Sequence, residues 1–300
     1  MRAEGFEVSA VAAESGSDGD LAATIAAARE AEASWVVLDG PRFGPEFQGP
    51  LGGAGLRLLV IDDAGSNPRS HADILLNQNL HAEGRMYSTR EDTTELLLGP
   101  RYVLLRREFL EREDRHRATP AVARRILVTL GGADPSNHTR KVLRCLGRVD
   151  EPELTAMAVV GGANPHGQSL ADAARAGRVP VRLLENVTGM PALMAEADLA
   201  VSSGGTTVWE LAYMGVPTLV GITSPLEERL VLGLRARGVF PDVGWLDRAS
   251  EEDLALAIGG LIRDAAARDE MSRRGRALID GGGCERVLDC MDRIGEMRHA

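Results

Sequence analysis

The sequence predicts an α/β fold built as two parallel-sheet halves, and three observations carry that expectation. Short apolar runs recur along the chain with helical stretches between them, the order expected of parallel strands covered on both faces. The pattern breaks at a charged stretch, residues 106–117, with Pro120 beyond it, and then restarts. A length of 300 residues suits about two domains of roughly 150 residues each.

Taken in order, residues 6–11 alternate in polarity and read as a short strand. Asp20 reads as the cap of an alanine-rich helix running to about residue 33. Residues 35–39 are a continuous apolar strand, residues 56–63 a second that ends on Asp62 and Asp63, and residues 74–79 a third. Beyond Pro120, residues 125–130 read as a buried strand followed by a glycine turn and a helix. Further strands are expected at 155–160, 181–184, 199–202 and 218–221. From residue 251 to about 297 the pattern is helical, interrupted at Asp280-Gly281-Gly282-Gly283. The domains expected are therefore 1–117, 118–283 and a C-terminal helix, 284–300, for which a return to the first domain is one option. Residues 1–5 read as the last turn of a helix closed by Gly5. A Rossmann-like half opens instead with a strand and a ligand-binding turn, so the first domain is expected to lack both.

Charge narrows the function. A formal net charge of −10 excludes the broad basic surface of a protein that grips a phosphate backbone. It leaves open a small anion held by local dipoles. Lys141 is the one lysine among 34 basic residues, which reads as coding bias. Cys145, Cys284 and Cys290 have neither the number of a disulfide framework nor Cys-x-x-Cys spacing. No apolar run nears the roughly 20 residues of a membrane span. A G-x-S-x-G elbow and an H-E-x-x-H helix are both missing. A cytoplasmic protein with no metal, no cofactor, no membrane span and no nucleic-acid partner is expected.

Two turns carry candidate chemistry. Gly131-Gly132-Ala133-Asp134-Pro135-Ser136-Asn137 follows a strand and opens a helix, so its N–H groups could meet an anion. The same turn also reads as a plain strand-to-helix connection with Asp134 or Ser136 as cap. Ser202-Ser203-Gly204-Gly205-Thr206-Thr207-Val208-Trp209-Glu210 repeats the arrangement, and its helix is expected to stop at Gly215-Val216-Pro217. Two such helix starts could close on a diphosphate. Glu210, one turn in, could accept both hydroxyls of a ribose, or face solvent as an acid favoured by the helix dipole. Asp18-Gly19-Asp20 has the D-x-D spacing of metal-dependent glycosyltransferases, but cap and turn chemistry explains it. His138 lies beside the first turn and reads as a helix-surface side chain. Asp62 and Asp63 end a strand where open α/β sheets bind ligands, and equally read as caps.

The two turns stand in matching order with Gly99-Pro100-Arg101-Tyr102-Val103-Leu104-Leu105-Arg106-Arg107-Glu108-Phe109, Val60-Ile61-Asp62-Asp63, Asp73-Ile74-Leu75-Leu76-Asn77-Gln78-Asn79 and Asp280-Gly281-Gly282-Gly283 before Arg286-Val287. Together they resemble the UDP-sugar hydrolases of pseudaminic acid biosynthesis (UDP-2,4-diacetamido-2,4,6-trideoxy-beta-L-altropyranose hydrolases) and their spore-coat polysaccharide relatives. The resemblance covers nearly the whole chain. It implies a GT-B-like fold, two Rossmann-like parallel-sheet domains facing a cleft, with the N-terminal one incomplete here. It also implies a metal-independent reaction in which water displaces UDP from a deoxy-diacetamido sugar. By the same resemblance Gly131, Gly132, Ser203, Gly204, Gly205 and Thr206 line the phosphates, Glu210 holds the ribose, and Asn186 to Met190 lie near the base. Tyr102 and Leu104 line the sugar side, with Asp62 and Glu227 as further candidates there.

Two departures bear on activity. The family opens with a Gly-x-Gly-His-x-x-Arg turn whose histidine is the proposed base, and these 300 residues carry no counterpart. A general base contributes about 10²–10⁴-fold. The expectation divides between a start at an internal methionine and a degenerate, slower homologue. At Ser224-Pro225-Leu226-Glu227-Glu228-Arg229 relatives carry Asn-Gln before the arginine, so Glu227 brings negative charge near the ligand. The function expected is a UDP-sugar hydrolase of surface-glycan biosynthesis. A GT-B glycosyltransferase using a UDP-sugar donor and a catalytically impaired nucleotide-sugar binder are the alternatives.

Overall fold

The structure, a computed structural model, describes residues 5–65, 69–112 and 118–297. Its chain divides into two compact units, Met1–Tyr102 together with Cys284–Ala300, and Val103–Gly283. The first contains α1 (Asp18–Glu30), β1 (Trp35–Asp39), α2 (Pro45–Gly53), β2 (Arg57–Ile61), β3 (Ile74–Asn77) and β4 (Glu95–Leu98). Its strands are parallel in the order β1-β2-β3-β4. β2 is apolar from Leu58 to Ile61 because it is covered twice. Leu58 and Val60 pack with Ala28, Phe47 and Leu51 from α1 and α2, while Leu59 joins Ile74, Leu76 and Leu97 on the other face.

Two expectations are corrected in this unit. Residues 6–11 form no strand: Phe6 is 62% exposed and Val8 38%, so their alternation has no sheet to serve. The cap of α1 is Ser17, not Asp20. Ser17 Oγ accepts the Asp20 N–H at 3.3 Å, and the Asp20 carboxylate accepts the Gly16 N–H at 2.8 Å, a relative of the reciprocal capping box. That pairing accounts for Asp18-Gly19-Asp20 without a metal. Of the expected helix end at residues 1–5, residues 1–4 lie outside the described residues, and Gly5 has φ +84°. Residues 113–117 of the charged stretch also lie outside them.

The second unit runs α3 (Arg107–Leu110), β5 (Arg125–Thr129), α4 (His138–Leu146), β6 (Thr155–Val160), α5 (Gly167–Ala176), β7 (Val181–Glu185) and α6 (Met190–Glu196). It continues with β8 (Leu199–Ser203), α7 (Thr207–Met214), β9 (Thr218–Ile222), α8 (Pro225–Ala236), β10 (Asp242–Trp245), α9 (Glu251–Arg263) and α10 (Ala265–Leu278). Its sheet is parallel, in the order β10-β9-β8-β5-β6-β7. Ile126, Val128, Val201 and Leu219 from the central strands pack with Val142, Leu146, Leu254 and Ile258 of the helices. α7 stops where the sequence placed its end: the Val216 N–H bonds Leu211 O at 2.9 Å and the Gly215 N–H bonds Ala212 O at 3.0 Å, the paired bonds of a Schellman motif.

The stretch 103–112, which composition alone groups with the first half, counts with the second unit, and its Phe109 is fully buried. The division at 102/103 therefore differs from the composition-based 117/118 by the segment carrying α3. The last helix, α11 (Gly283–Met297), counts from Cys284 onward with the first unit, where Val287 and Cys290 cover Leu59, Ile74 and Leu97. Among the described residues no helix is long and apolar enough to cross a membrane.

Candidate functional site

In the second unit β5 and β8 are neighbours, with Thr129 opposite Ser202. The chain nevertheless leaves β5 toward β6 and β7, and leaves β8 toward β9 and β10. The strand order reverses here, the place where open parallel sheets bind ligands beyond the carboxyl ends of their strands. Both glycine turns singled out from sequence follow these two adjacent strands.

The first turn is closed at its helix. The Asp134 carboxylate accepts the His138 N–H at 2.8 Å and the Thr139 N–H at 2.9 Å. The start of α4 thus already holds an anion, and Asp134 is the cap. Gly131 has φ +89°, which side-chain-bearing residues rarely adopt. Two bonds tie the turn to the segment after β6: His166 Nε2 lies 2.9 Å from Pro135 O, and Asn137 Nδ2 donates to Ser169 Oγ at 3.1 Å. His138 is buried rather than on the helix surface.

The second turn is open at its helix. Among the described residues Thr206, at the start of α7, makes no side-chain capping bond. Gly204 is required by α8, since a Cβ there would lie 2.4 Å from Val231 Cγ2 and 2.9 Å from Glu227 Cβ. Glu227 therefore stands beside the Ser203–Thr206 turn. Its carboxylate accepts the Thr223 N–H at 2.7 Å and the Thr223 hydroxyl at 2.9 Å, so it secures the start of its own helix. Asn186, φ +52°, turns the chain after β7, and Met190 is the buried first residue of α6.

Glu210 has a partner that no sequence signal announced. Its Oε1 accepts from Arg106 Nε at 2.9 Å, and Arg106 Nη1 lies 2.6 Å from Glu108 Oε1. Burial, with 15% of its side chain exposed, pushes the Glu210 carboxyl above the usual carboxylate range, and Arg106 opposes that shift.

Of the remaining candidates, Leu104, an exposed side chain, counts with the second unit, and Asp62 and Tyr102 belong to the first. Asp62 lies just beyond β2 and is 4% exposed. Next to it, burial pushes the Asp63 carboxyl up; Gln78 Nε2 donates to its Oδ2 at 3.1 Å, while the buried Oδ1 has no partner among the described residues. The Tyr87 hydroxyl accepts from Asn77 Nδ2 at 2.8 Å and donates to Asp62 O at 3.3 Å, and burial pushes its pKa up to about 12. Tyr102 closes the short turn Pro100–Tyr102, with the Arg101 guanidinium 5.1 Å from its ring centre, and packs at the Leu97–Val287 cluster. Among the described residues no three His, Cys, Asp or Glu side chains are placed to hold a metal ion.

No protein-family model matches the chain. The chain is similar to the spore coat polysaccharide biosynthesis protein SpsG of Bacillus subtilis, at 27% identity over 234 residues, 77% of this chain and 68% of that protein. It is also similar to the uncharacterized protein MJ1062 of Methanocaldococcus jannaschii, at 29% over 170 residues, 55% of this chain and 35% of that protein. Among solved structures it matches UDP-GlcNAc 2-epimerase from Neisseria meningitidis bound to UDP-GlcNAc, with TM-score 0.64, 14% identity, and coverage of 94% of this chain and 84% of that one. It matches the spinosyn rhamnosyltransferase SpnG with TM-score 0.58, 18% identity, and coverage of 90% and 76%. The fold is thus the GT-B type, two parallel-sheet α/β domains, and the resemblance to the spore-coat polysaccharide relatives extends to a curated protein.

Proposed function

We propose that the chain binds a UDP-sugar and acts as a hydrolase in surface-glycan biosynthesis, releasing UDP from a deoxy-diacetamido sugar. One observation carries the reading: the open start of α7 stands at the reversal of strand order, with Glu210 one turn into the same helix. N–H groups at a helix start suit a diphosphate, and a carboxylate one turn along suits ribose hydroxyls. The diphosphate is assigned to Ser203, Gly204, Gly205 and Thr206 with the backbone of Gly131 and Gly132, and the base to Asn186 and Met190. Asp62 and Tyr102 are the sugar-side candidates; the commitment of Glu227 to Thr223 favours a structural role for it. Similarity to SpsG supports polysaccharide biosynthesis as the setting, and the UDP-GlcNAc in a structural neighbour supports the ligand class.

The test is to incubate the full chain with UDP-sugars, with and without sugar acceptors. Free sugar and UDP appearing without acceptor support hydrolysis. A strict need for acceptor makes the protein a glycosyltransferase, and binding without turnover makes it a nucleotide-sugar binder. Glu210→Ala should weaken UDP affinity about 10- to 100-fold, the loss of a hydrogen bond to a charged group. Unchanged affinity would place the ribose elsewhere.

A further inference from the structure

Arg106 spans two carboxylates with one guanidinium. Its Nε bonds Glu210 Oε1 at 2.9 Å and its Nη1 lies 2.6 Å from Glu108 Oε1. Its Cζ sits 5.1 Å from the ring centre of Phe109, which is fully buried. Arg106 also stands at the cap position of α3, so its backbone is held by that turn. The guanidinium is therefore fixed from three sides although half of the side chain is exposed. It grips Glu210 through one N–H and one oxygen, not as a two-pronged fork. Among the described residues nothing bonds the second oxygen, Oε2.

We propose that Arg106 is a positioning residue for nucleotide recognition: it keeps Glu210 an ionised acceptor with Oε2 free, and so sets the preference for a ribose carrying its 2′-hydroxyl. The proposal rests on the ribose assignment of Glu210 above. A ribose diol donates two hydrogens, and an ionised carboxylate with a free oxygen accepts them. A protonated carboxyl gives up part of that capacity. The charged groups facing Glu210 are Arg106 and Glu108; α6 and α10, which pack on α7, bring none among the described residues. Without Arg106, a mostly buried carboxylate faces Glu108 alone, and burial and like charge both favour its neutral form.

The experiment is calorimetric titration of the full chain with UDP and with 2′-deoxy-UDP between pH 6 and 8, for wild type, Arg106→Met, Arg106→Lys and Glu210→Gln. Wild type should prefer UDP by about 10- to 100-fold, one hydrogen bond to a charged group. In Arg106→Met the preference should collapse to within about threefold and recover partly as pH rises, with 2′-deoxy-UDP affinity unchanged. Arg106→Lys should restore most of the preference, and Glu210→Gln should lose it at every pH. An Arg106→Met chain with the wild-type preference overturns the proposal while leaving the proposed function standing. So does one that loses both nucleotides equally, which would mark a structural role. A Glu210→Gln chain that keeps the preference overturns the ribose assignment and this proposal with it. A wild-type chain that binds neither nucleotide overturns the proposed function.

Discussion

A methyl group at residue 204 has no room, because α8 passes within 2.4 Å of the place it would occupy. Gly204→Ala should therefore cost about 1–3 kcal/mol, the penalty of overpacking, read as a lower urea midpoint. Gly205→Ala meets nothing nearer than Ser203 Oγ at 3.9 Å, so its stability should hold while any loss of UDP affinity reports backbone approach to the ligand. Asp134→Ala removes the cap of α4 and should cost about 0.5–2 kcal/mol. Glu210 and Asp63 act in the opposite sense, since burial raises both carboxyls in the folded chain. Each folded carboxyl holds its proton to higher pH than its unfolded counterpart. Stability therefore falls as pH climbs from the unfolded value to the folded one, and stays lower above it. Glu210→Gln and Asp63→Asn should raise the urea midpoint at pH 7 relative to wild type, by more than at pH 3. A lower midpoint at pH 7 would show that the partners of these acids outweigh their burial. Gly215 and the Asp134 cap could be read from sequence because their roles are local, whereas the cap of α1 is Ser17 in place of the expected Asp20 and the need for Gly204 comes from α8. The Arg106–Glu210 pair could not be so read, since its members lie 104 positions apart and meet only when α3 docks near α7.

At the level of elements, strands were legible where both faces are buried. Residues 126–128 and 199–201 are unbroken apolar runs because β5 and β8 are buried on both faces. β10 escaped because it is a partly exposed edge strand with Gly244 at φ +66° and a register shift in its middle. β4 escaped because Glu95-Leu96-Leu97-Leu98 is too short to separate strand from helix by period. Residues 6–11 misled for the converse reason, a strand-like alternation without a neighbouring strand. Helix ends show the same division. Gly215 acts within its own helix and was legible, whereas the C-terminal end of α9 depends on a residue of the next helix. Arg268, fully buried, donates to Leu261 O at 2.5 Å, Ile262 O at 2.6 Å and Pro120 O at 2.5 Å. Ile262 O also accepts the Ala123 N–H at 3.0 Å. Arg268→Met should strip Leu261 O and Pro120 O of this donor and cost about 1–3 kcal/mol, measured as a fall in the chemical-denaturation midpoint. A neutral result would show that the carbonyls find other donors.

At the scale of the molecule, the chain builds its first unit in two visits, and this separates two truncations that resemble each other on paper. The second unit, Val103–Gly283, is continuous and has a core drawn from its own residues, Ala123 through Ile262. The first depends on α11, whose Val287 and Cys290 cover Leu59, Ile74, Leu76 and Leu97. A fragment of residues 103–283 should fold by itself and unfold in one cooperative transition. Because every residue assigned here to phosphate, ribose and base lies within it, its UDP affinity should stay within about threefold of the full chain, a difference under 1 kcal/mol. A chain cut after Gly282 keeps the same nucleotide residues but uncovers an apolar sheet face. Exposed patches of that kind bind hydrophobic dyes and aggregate. Dye fluorescence and sedimentation should thus report a damaged first unit, while UDP affinity persists. If the 103–283 fragment folds but no longer binds UDP, the nucleotide assignment to that unit is wrong. If it fails to fold while the full chain melts in a single step, the two units are one cooperative body, and the division at Tyr102/Val103 has no energetic meaning.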